Sequence, residues 1–193
     1  MLRRAAQLGD QLALRRVVKG VPDLVGDTIT TVGRSASGGA VWVGSAGVLS
    51  VCGSKGRRAA GRGLIAYGAA SILANGPAKW IARRARPGGV LLKDLPRVGG
   101  RPNTSSFPSS HAASATAFAV AASGAFPLAA PVLGSLAATV AVSRVMAVRH
   151  FPTDVVAGAA LGAGVGVAVH VVGSRGNRAA SPRPNDEADA AVS

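Results

Sequence analysis

Residues 109–143 read SSHAASATAFAVAASGAFPLAAPVLGSLAATVAVS, and this stretch decides the fold. No Lys, Arg, Asp or Glu stands between Arg101 and Arg144, so the run is apolar enough to be buried or to meet lipid. Gly124, Pro127 and Pro131 interrupt it: glycine weakens a helix and proline lacks the N–H that a helix interior requires. Two helices, roughly 109–125 and 131–147, joined in a tight hairpin, are expected. Ala, Gly and Val carry the hydrophobicity, and such small side chains let helix backbones approach closely where no water drives association.

Working outward, Ser35–Ser54 gives twenty uncharged residues between Arg34 and Lys55, about the length a bilayer core requires. Lys55, Arg57, Arg58 and Arg62 form a basic turn, and the uncharged run Gly63–Ala78 leads back to Lys79. After the hairpin, Val155–Ser174 is long enough to span and carries Gly158, Gly162 and Gly166 at four-residue spacing, one smooth packing face. Toward the N-terminus, residues 2–18 have a rough 3.6-residue period that suits an interfacial helix, and Pro22 ends it. Asp23–Gly33 holds two aspartates, which suits a second interfacial or half-buried helix rather than a span. The expected fold class is all-α: an integral membrane helical bundle of about five transmembrane helices behind N-terminal amphipathic helices. Its parts are an interfacial region 1–34, a membrane-embedded domain 35–174 and a disordered tail 175–193.

The whole chain agrees with that reading. Of 193 residues 48% are hydrophobic and 4% aromatic, with mean hydropathy +0.33. Against 8 acidic residues stand 22 Lys and Arg, a formal charge of +14, which points to an anionic partner. Nucleic acid is set aside because stacking aromatics are few and the basic residues bracket apolar runs, as in membrane proteins. Cys52 is the sole cysteine, so no intrachain disulfide can form. The basic residues spread through residues 1–20 do not make the pattern of a cleaved signal peptide.

Three polar clusters remain, and the zigzag of spans brings all of them to one membrane face. The first is Lys79 with Arg86-Pro87, seven residues apart, two turns apart if the helix continues. Alone such cations read as membrane anchors, the role assigned here to Arg83 and Arg84. The second is Pro108-Ser109-Ser110-His111, where a serine N-cap at a positive helix end offers an anion site and His111 stands ready to pass a proton. The third is Ser143-Arg144 with His150 and Asp154: a cation for phosphate, a nucleophile or base, and a carboxylate able to accept the His150 Nδ1 hydrogen. His170, deep in the last span, reads as a hydrogen-bonded structural histidine.

On these three motifs the chain resembles the type 2 phosphatidic acid phosphatase family, whose members share a core with vanadium-dependent haloperoxidases. The resemblance covers about residues 35–173, and the region from Trp42 onward is similar to the phosphatase half of actinobacterial proteins fused to a lipid-kinase-like domain. Ser110 stands where many relatives have glycine. The resemblance implies that Lys79, Arg86 and Arg144 bind phosphate oxygens with Ser109 and the amides of Ser110 and His111. It further implies that His150 attacks phosphorus, His111 protonates the leaving group and Asp154 orients His150. A metal-independent hydrolase without cofactor is expected, because three cations at one spot repel a divalent ion. Its substrate would be a polyprenyl or glycerolipid mono- or diphosphate, and its place the plasma membrane, multi-pass, with the site facing away from the cytoplasm. Two alternatives use the same residues: a lipid-phosphate binding or transport protein that does not hydrolyse, and a haloperoxidase-like enzyme holding vanadate.

Overall fold

The computed structural model describes residues 2–36, 38–95 and 103–179, and its regular elements are helices. They are α1 (Leu2–Lys19), α2 (Asp23–Ser35), α3 (Gly39–Ser50), α4 (Gly53–Asn75), α5 (Pro77–Ala82), α6 (Ser110–Ala125), α7 (Ala130–Met146) and α8 (Pro152–Ala179), with short 3-10 turns at Val90–Leu92 and Pro127–Ala129. The hairpin expected from residues 109–143 is α6 and α7, broken at Phe126–Ala129 by the prolines that the sequence supplies.

Helix α6 is the axis of the bundle. Ala112, Ala113, Ala115, Ala117, Phe118, Ala121 and Ala122 are fully buried along it, and α4, α7 and α8 pack around it. Against α8 the approach is set by the glycine stripe. A Cβ at Gly162 would lie 2.1 Å from the Ala113 carbonyl oxygen, and one at Gly166 would lie 2.8 Å from that of Ala117. The matched four-residue steps mean that α6 and α8 run parallel. Toward α4, Ala66, Ala70 and Ala74 close a seam with Ala113, Ala117 and Ala121. Trp42 of α3 is buried with its ring centroid 5.1 Å from Phe118 and 6.1 Å from Tyr67.

Two boundaries differ from the sequence expectation. The uncharged run 35–54 is not one helix: α2 ends at Ser35, α3 holds twelve residues, and the chain reverses at Val51–Cys52. Gly53, at φ 75°, permits the reversal. Gly56 then lets α4 lie against the Leu49 carbonyl, which a Cβ would meet at 2.0 Å. Lys55, Arg57, Arg58 and Arg62 therefore belong to the first turns of α4 rather than to a basic turn. At the other end α8 continues to Ala179, past Arg175 where the polar composition begins; the rest of the tail and residues 96–102 lie outside the described residues.

Two helical segments are long and apolar enough to cross a membrane, Pro127–Met146 and Pro152–Gly176. No more than a third of the residues in the apolar window of either segment are buried. The apolar α3, at twelve residues, reaches only about 18 Å, short of a bilayer core of about 30 Å. Helices α1 and α2 pack on the end of the bundle that carries the polar clusters. Leu14 and Val18 of α1 are buried with Leu92, Met146 and Phe151, while Leu8 and Leu12 face outward. Gly26 and Gly33 of α2 fit against Met146 and Ser143 of α7. Arg15 and Lys19 pair with Asp94, whose carboxyl they hold well below its usual range.

Candidate active site

The end of α5, the start of α6, the end of α7 and the start of α8 meet in one place, as the zigzag requires. Helix α5 stops at Ala82 because Arg83 turns into the left-handed region, φ 42°, and its N–H bonds the Lys79 carbonyl. Pro87 then biases Arg86 toward extended backbone. Extended chain alternates its side chains, so Arg84 and Arg86 turn inward while Arg83 and Ala85 face out. Lys79 and Arg86 are thus not two turns apart on one helix. They meet because the chain folds back, and both line a cavity of about 750 Å³ with Asn75, Trp80, Asn103 and Thr104.

Arg86 is held from several sides. Its Nε donates to the Thr104 carbonyl at 3.1 Å, its Nη2 to Thr104 Oγ1 at 3.1 Å, and its Nη1 to the Arg149 carbonyl at 3.0 Å. The same Nη1 lies 3.3 Å from His150 Nε2. Lys79 Nζ donates to Asn75 Oδ1 at 2.7 Å. Partial burial and the Arg86 charge both lower the Lys79 pKa, burial being the larger cause.

His150 sits in the turn between α7 and α8, 4% exposed. Its Nδ1 lies 2.7 Å from the Ser106 carbonyl oxygen and 3.8 Å from Asp154 Oδ2. A carbonyl only accepts, so Nδ1 carries the proton and Nε2 keeps its lone pair, facing Arg86. The group that fixes the tautomer is therefore Ser106, with the carboxylate standing behind, where the sequence reading gave Asp154 that contact. Burial, the larger cause, and Arg86 push the His150 pKa below its usual value; Asp154 opposes them.

Asp154 is fully buried and saturated. Its Oδ2 accepts the Phe151 N–H at 2.9 Å and its Oδ1 accepts from Arg84 Nη1 at 2.7 Å. Arg84 also donates to Thr153 Oγ1 at 2.8 Å and to Asp10 Oδ2, and its guanidinium lies 4.5 Å from the Phe151 ring centre. Arg84 is thus an interior ion-pair residue and not the membrane anchor that its sequence setting suggested. Asp10, from α1, was missed altogether. Ser106 left no signal either, since it acts through a backbone carbonyl.

Ser109 is the N-cap of α6: its Oγ accepts from the Ala112 N–H at 3.5 Å and its own N–H donates to the Asp154 carbonyl at 2.9 Å. Ser109 and Ser110 are buried. His111, in the first turn of α6, lies within electrostatic reach of His150, Arg144, Arg149 and Lys79. Arg144 is 2% exposed, its Nε and Nη2 on Ser143 Oγ at 3.2 and 3.1 Å and its Nη2 on the Gly33 carbonyl at 3.1 Å. His170 lies far along α8, with Nδ1 3.3 Å from Arg62 Nη1. No group of three or more His, Cys, Asp or Glu able to hold a metal ion occurs among the described residues.

The chain is 40% identical over 104 residues to the decaprenylphosphoryl-5-phosphoribose phosphatase of Mycobacterium tuberculosis, covering 52% of this chain and 54% of that protein. It is 38% identical over 113 residues to the Mycolicibacterium smegmatis protein of the same name, covering 57% and 60%. The chain thus spans little more than half the length of the curated relatives it matches. In fold it is similar to the transmembrane PAP2-type phosphatidylglycerolphosphate phosphatase of Bacillus subtilis, with TM-score 0.67 over 89% of this chain and 87% of that one at 20% identity. Residues 60–178, which run from the basic turns of α4 to the end of α8 and hold all three clusters, match the PAP2 superfamily, and the chain belongs to that family.

Proposed function

We propose that this chain is an integral membrane phosphatase that removes phosphate from a polyprenyl phosphate through a phosphohistidine on His150. One observation carries the reading: a buried histidine whose Nδ1 is tied to a carbonyl presents Nε2 to the Arg86 guanidinium 3.3 Å away, and Arg86 in turn lines a cavity of about 750 Å³. Such a nitrogen is a nucleophile, and the guanidinium stands where phosphoryl oxygens would lie.

In the proposed reaction Lys79, Arg86 and Arg144 hold the phosphate oxygens, with Ser109, Ser110 and the amides that open α6. His150 Nε2 attacks phosphorus, the P–O bond to the lipid breaks, and His111 gives its proton to the departing oxygen. The positive charge gained by the imidazole faces the Ser106 carbonyl and the Asp154 carboxylate. His111, now neutral, takes a proton from water; the oxygen attacks phosphorus, the P–N bond breaks, and inorganic phosphate leaves with His150 neutral again. Positioned cations supply most of the rate, because the transferring group carries spread charge.

The relatives' names support a polyprenyl-linked substrate, and the amide and hydroxyl groups of Asn75, Asn103 and Thr104 at the cavity suit a headgroup larger than phosphate alone. The long apolar helices α7 and α8 support a bilayer setting, in the plasma membrane, with α4 and α6 beside them and the shorter α3 entering the bilayer only part way. The site opens away from the cytoplasm. Cys52, exposed at the α3–α4 turn far along α4 from the site, then lies inside, and labelling of intact cells by an impermeant thiol reagent contradicts this orientation.

Phosphate release from a panel of polyprenyl and glycerolipid phosphates, in detergent with chelator, tests the function. Release from the polyprenyl substrates that His150→Ala abolishes, with an acid-labile phosphoprotein trapped in the wild type, is the expected result. Release undiminished in His150→Ala sinks the mechanism.

A further inference from the structure

The N-terminal helix α1 lies outside the segment that matches the family, residues 60–178, yet it sends one carboxylate into the site. Asp10 and Arg84 form an ion pair with side chains only 12% and 19% exposed, and Arg84 carries the pair on to the fully buried Asp154. Thr153 closes the triangle: its hydroxyl donates to Asp10 Oδ2 at 3.0 Å and accepts from Arg84 Nη1 at 2.8 Å. Arg84 is further fixed against the Phe151 ring. Each link is short, Asp10 and Arg84 are half-buried where Thr153 is exposed, and the last carboxylate stands 3.8 Å from His150 Nδ1.

The charge pattern gives the arrangement a purpose beyond holding a helix. Arg84 alone would neutralise Asp154, leaving little negative charge to face an imidazole that becomes positive when phosphorylated. Asp10 offsets Arg84, so that the trio retains one net negative charge behind His150. Two more anchors keep α1 in register: Arg15 and Lys19 on Asp94, and Leu14 and Val18 in the core beside Phe151.

We propose that Asp10 is a positioning residue of the reaction, which through Arg84 holds Asp154 in place and preserves its charge behind His150, making α1 a working part of the catalytic centre. The proposal rests on the phosphatase reading for its kinetic consequences and on geometry alone for its electrostatic one. Charges facing His150 come from every element around it: Arg86 from the extended segment, Asp154 from α8, His111 from α6, and Arg149 beside it. Against that fixed background, removing the Asp10 charge lowers the affinity of His150 for a proton.

The test compares wild type, Asp10→Asn and Asp10→Glu, full length in detergent, by steady-state phosphate release against pH and by NMR titration of the histidine ring nitrogens. Asp10→Asn is expected to lower kcat roughly tenfold with KM changed less than about twofold, and to move the acidic limb of kcat/KM and the His150 titration down by about half a pH unit. Asp10→Glu restores most of both. A merely structural role would lower thermal stability without moving the titration. Should Asp10→Asn fail to fold, Thr153→Val, which loosens the same triangle with all charges kept, is expected to lower kcat about threefold. An Asp10→Asn protein with wild-type kcat and an unmoved His150 titration overturns the inference, as does a Thr153→Val protein with unchanged kcat. A wild type that releases no phosphate from any lipid phosphate overturns the phosphatase reading instead, and the titration of His150 still decides the inference.

Discussion

Replacing Gly158 by alanine tests whether the small-residue seam between α6 and α8 sets the geometry of the site. A Cβ at this position would lie 2.4 Å from the Ser109 carbonyl oxygen, 3.2 Å from its carbon and 3.3 Å from its nitrogen. All three are backbone atoms, so no side chain can swing aside. Recovery of an ordinary contact near 3.4 Å requires the two helix starts to part by about 1 Å. Ser109 is the N-cap of α6 and its N–H bonds the Asp154 carbonyl at 2.9 Å, so the separation acts where the proposed reaction brings phosphate and nucleophile together. Overpacking of this kind costs roughly 1–3 kcal/mol of stability, and a displacement of 1 Å in a reacting constellation costs about 100-fold in rate. Gly164, on the same helix, has nothing within 4 Å of a built Cβ, so Gly164→Ala gains up to about 1 kcal/mol from helix propensity alone. Phosphate release and thermal unfolding in detergent read both variants. A Gly158→Ala protein as fast and as stable as Gly164→Ala would falsify the packing argument.

Three further outcomes are expected. Arg86→Lys removes the fork that spans Thr104, the Arg149 carbonyl and His150 Nε2, and kcat/KM should fall by about 100-fold; a lysine variant keeping half the activity would show that point charge suffices. The pKa of His150 is lowered on folding, so His150 stays neutral and nucleophilic to a pH below the usual histidine range of about 6.5. Because the unfolded chain then binds the proton more readily, the stabilisation from this residue is full above about pH 6.5 and is lost as pH falls from there toward the folded value. An acidic limb of kcat/KM at or above pH 6.5 contradicts that direction. Finally, chelator should leave phosphate release unchanged, and activity that vanishes in chelator and returns with magnesium counts against the cation-only site.

Much of the scaffold was legible because it rests on local rules. Pro127 and Pro131 fall at the break between two helices and in the first turn of the second, positions that proline tolerates where a helix interior does not, and the glycine steps at 158, 162 and 166 mark a face whatever packs on it. The three clusters were also legible, since each lies at the end of an apolar run. The misreadings share one cause. Arg83 and Arg84 read alike as anchors because both follow a helix end, whereas the left-handed turn at Arg83 changes the side-chain period from 3.6 to 2 and separates them. Likewise the break at Gly53 turned an apparent twenty-residue span into a twelve-residue helix and a reversal. A single backbone torsion is a small local energy difference, and the packing around it decides the outcome.

What the sequence determined by itself is most of the helices and the end of the bundle at which the polar clusters gather, and it supplies Lys79, Arg86, Ser109, Ser110, His111, Arg144, His150 and Asp154 as the inventory of the proposed site. Hydropathy and chain-breaking residues act over a few positions, and those suffice. Only the tertiary structure decided which atom meets which: that the Ser106 carbonyl rather than Asp154 takes the His150 Nδ1 proton, that Arg84 turns inward, and that Asp10 joins it from 74 residues away. Such contacts join segments distant in the chain through backbone carbonyls and paired charges, which leave no periodic mark, and they form because a buried charge without a partner costs more than the ordering needed to supply one.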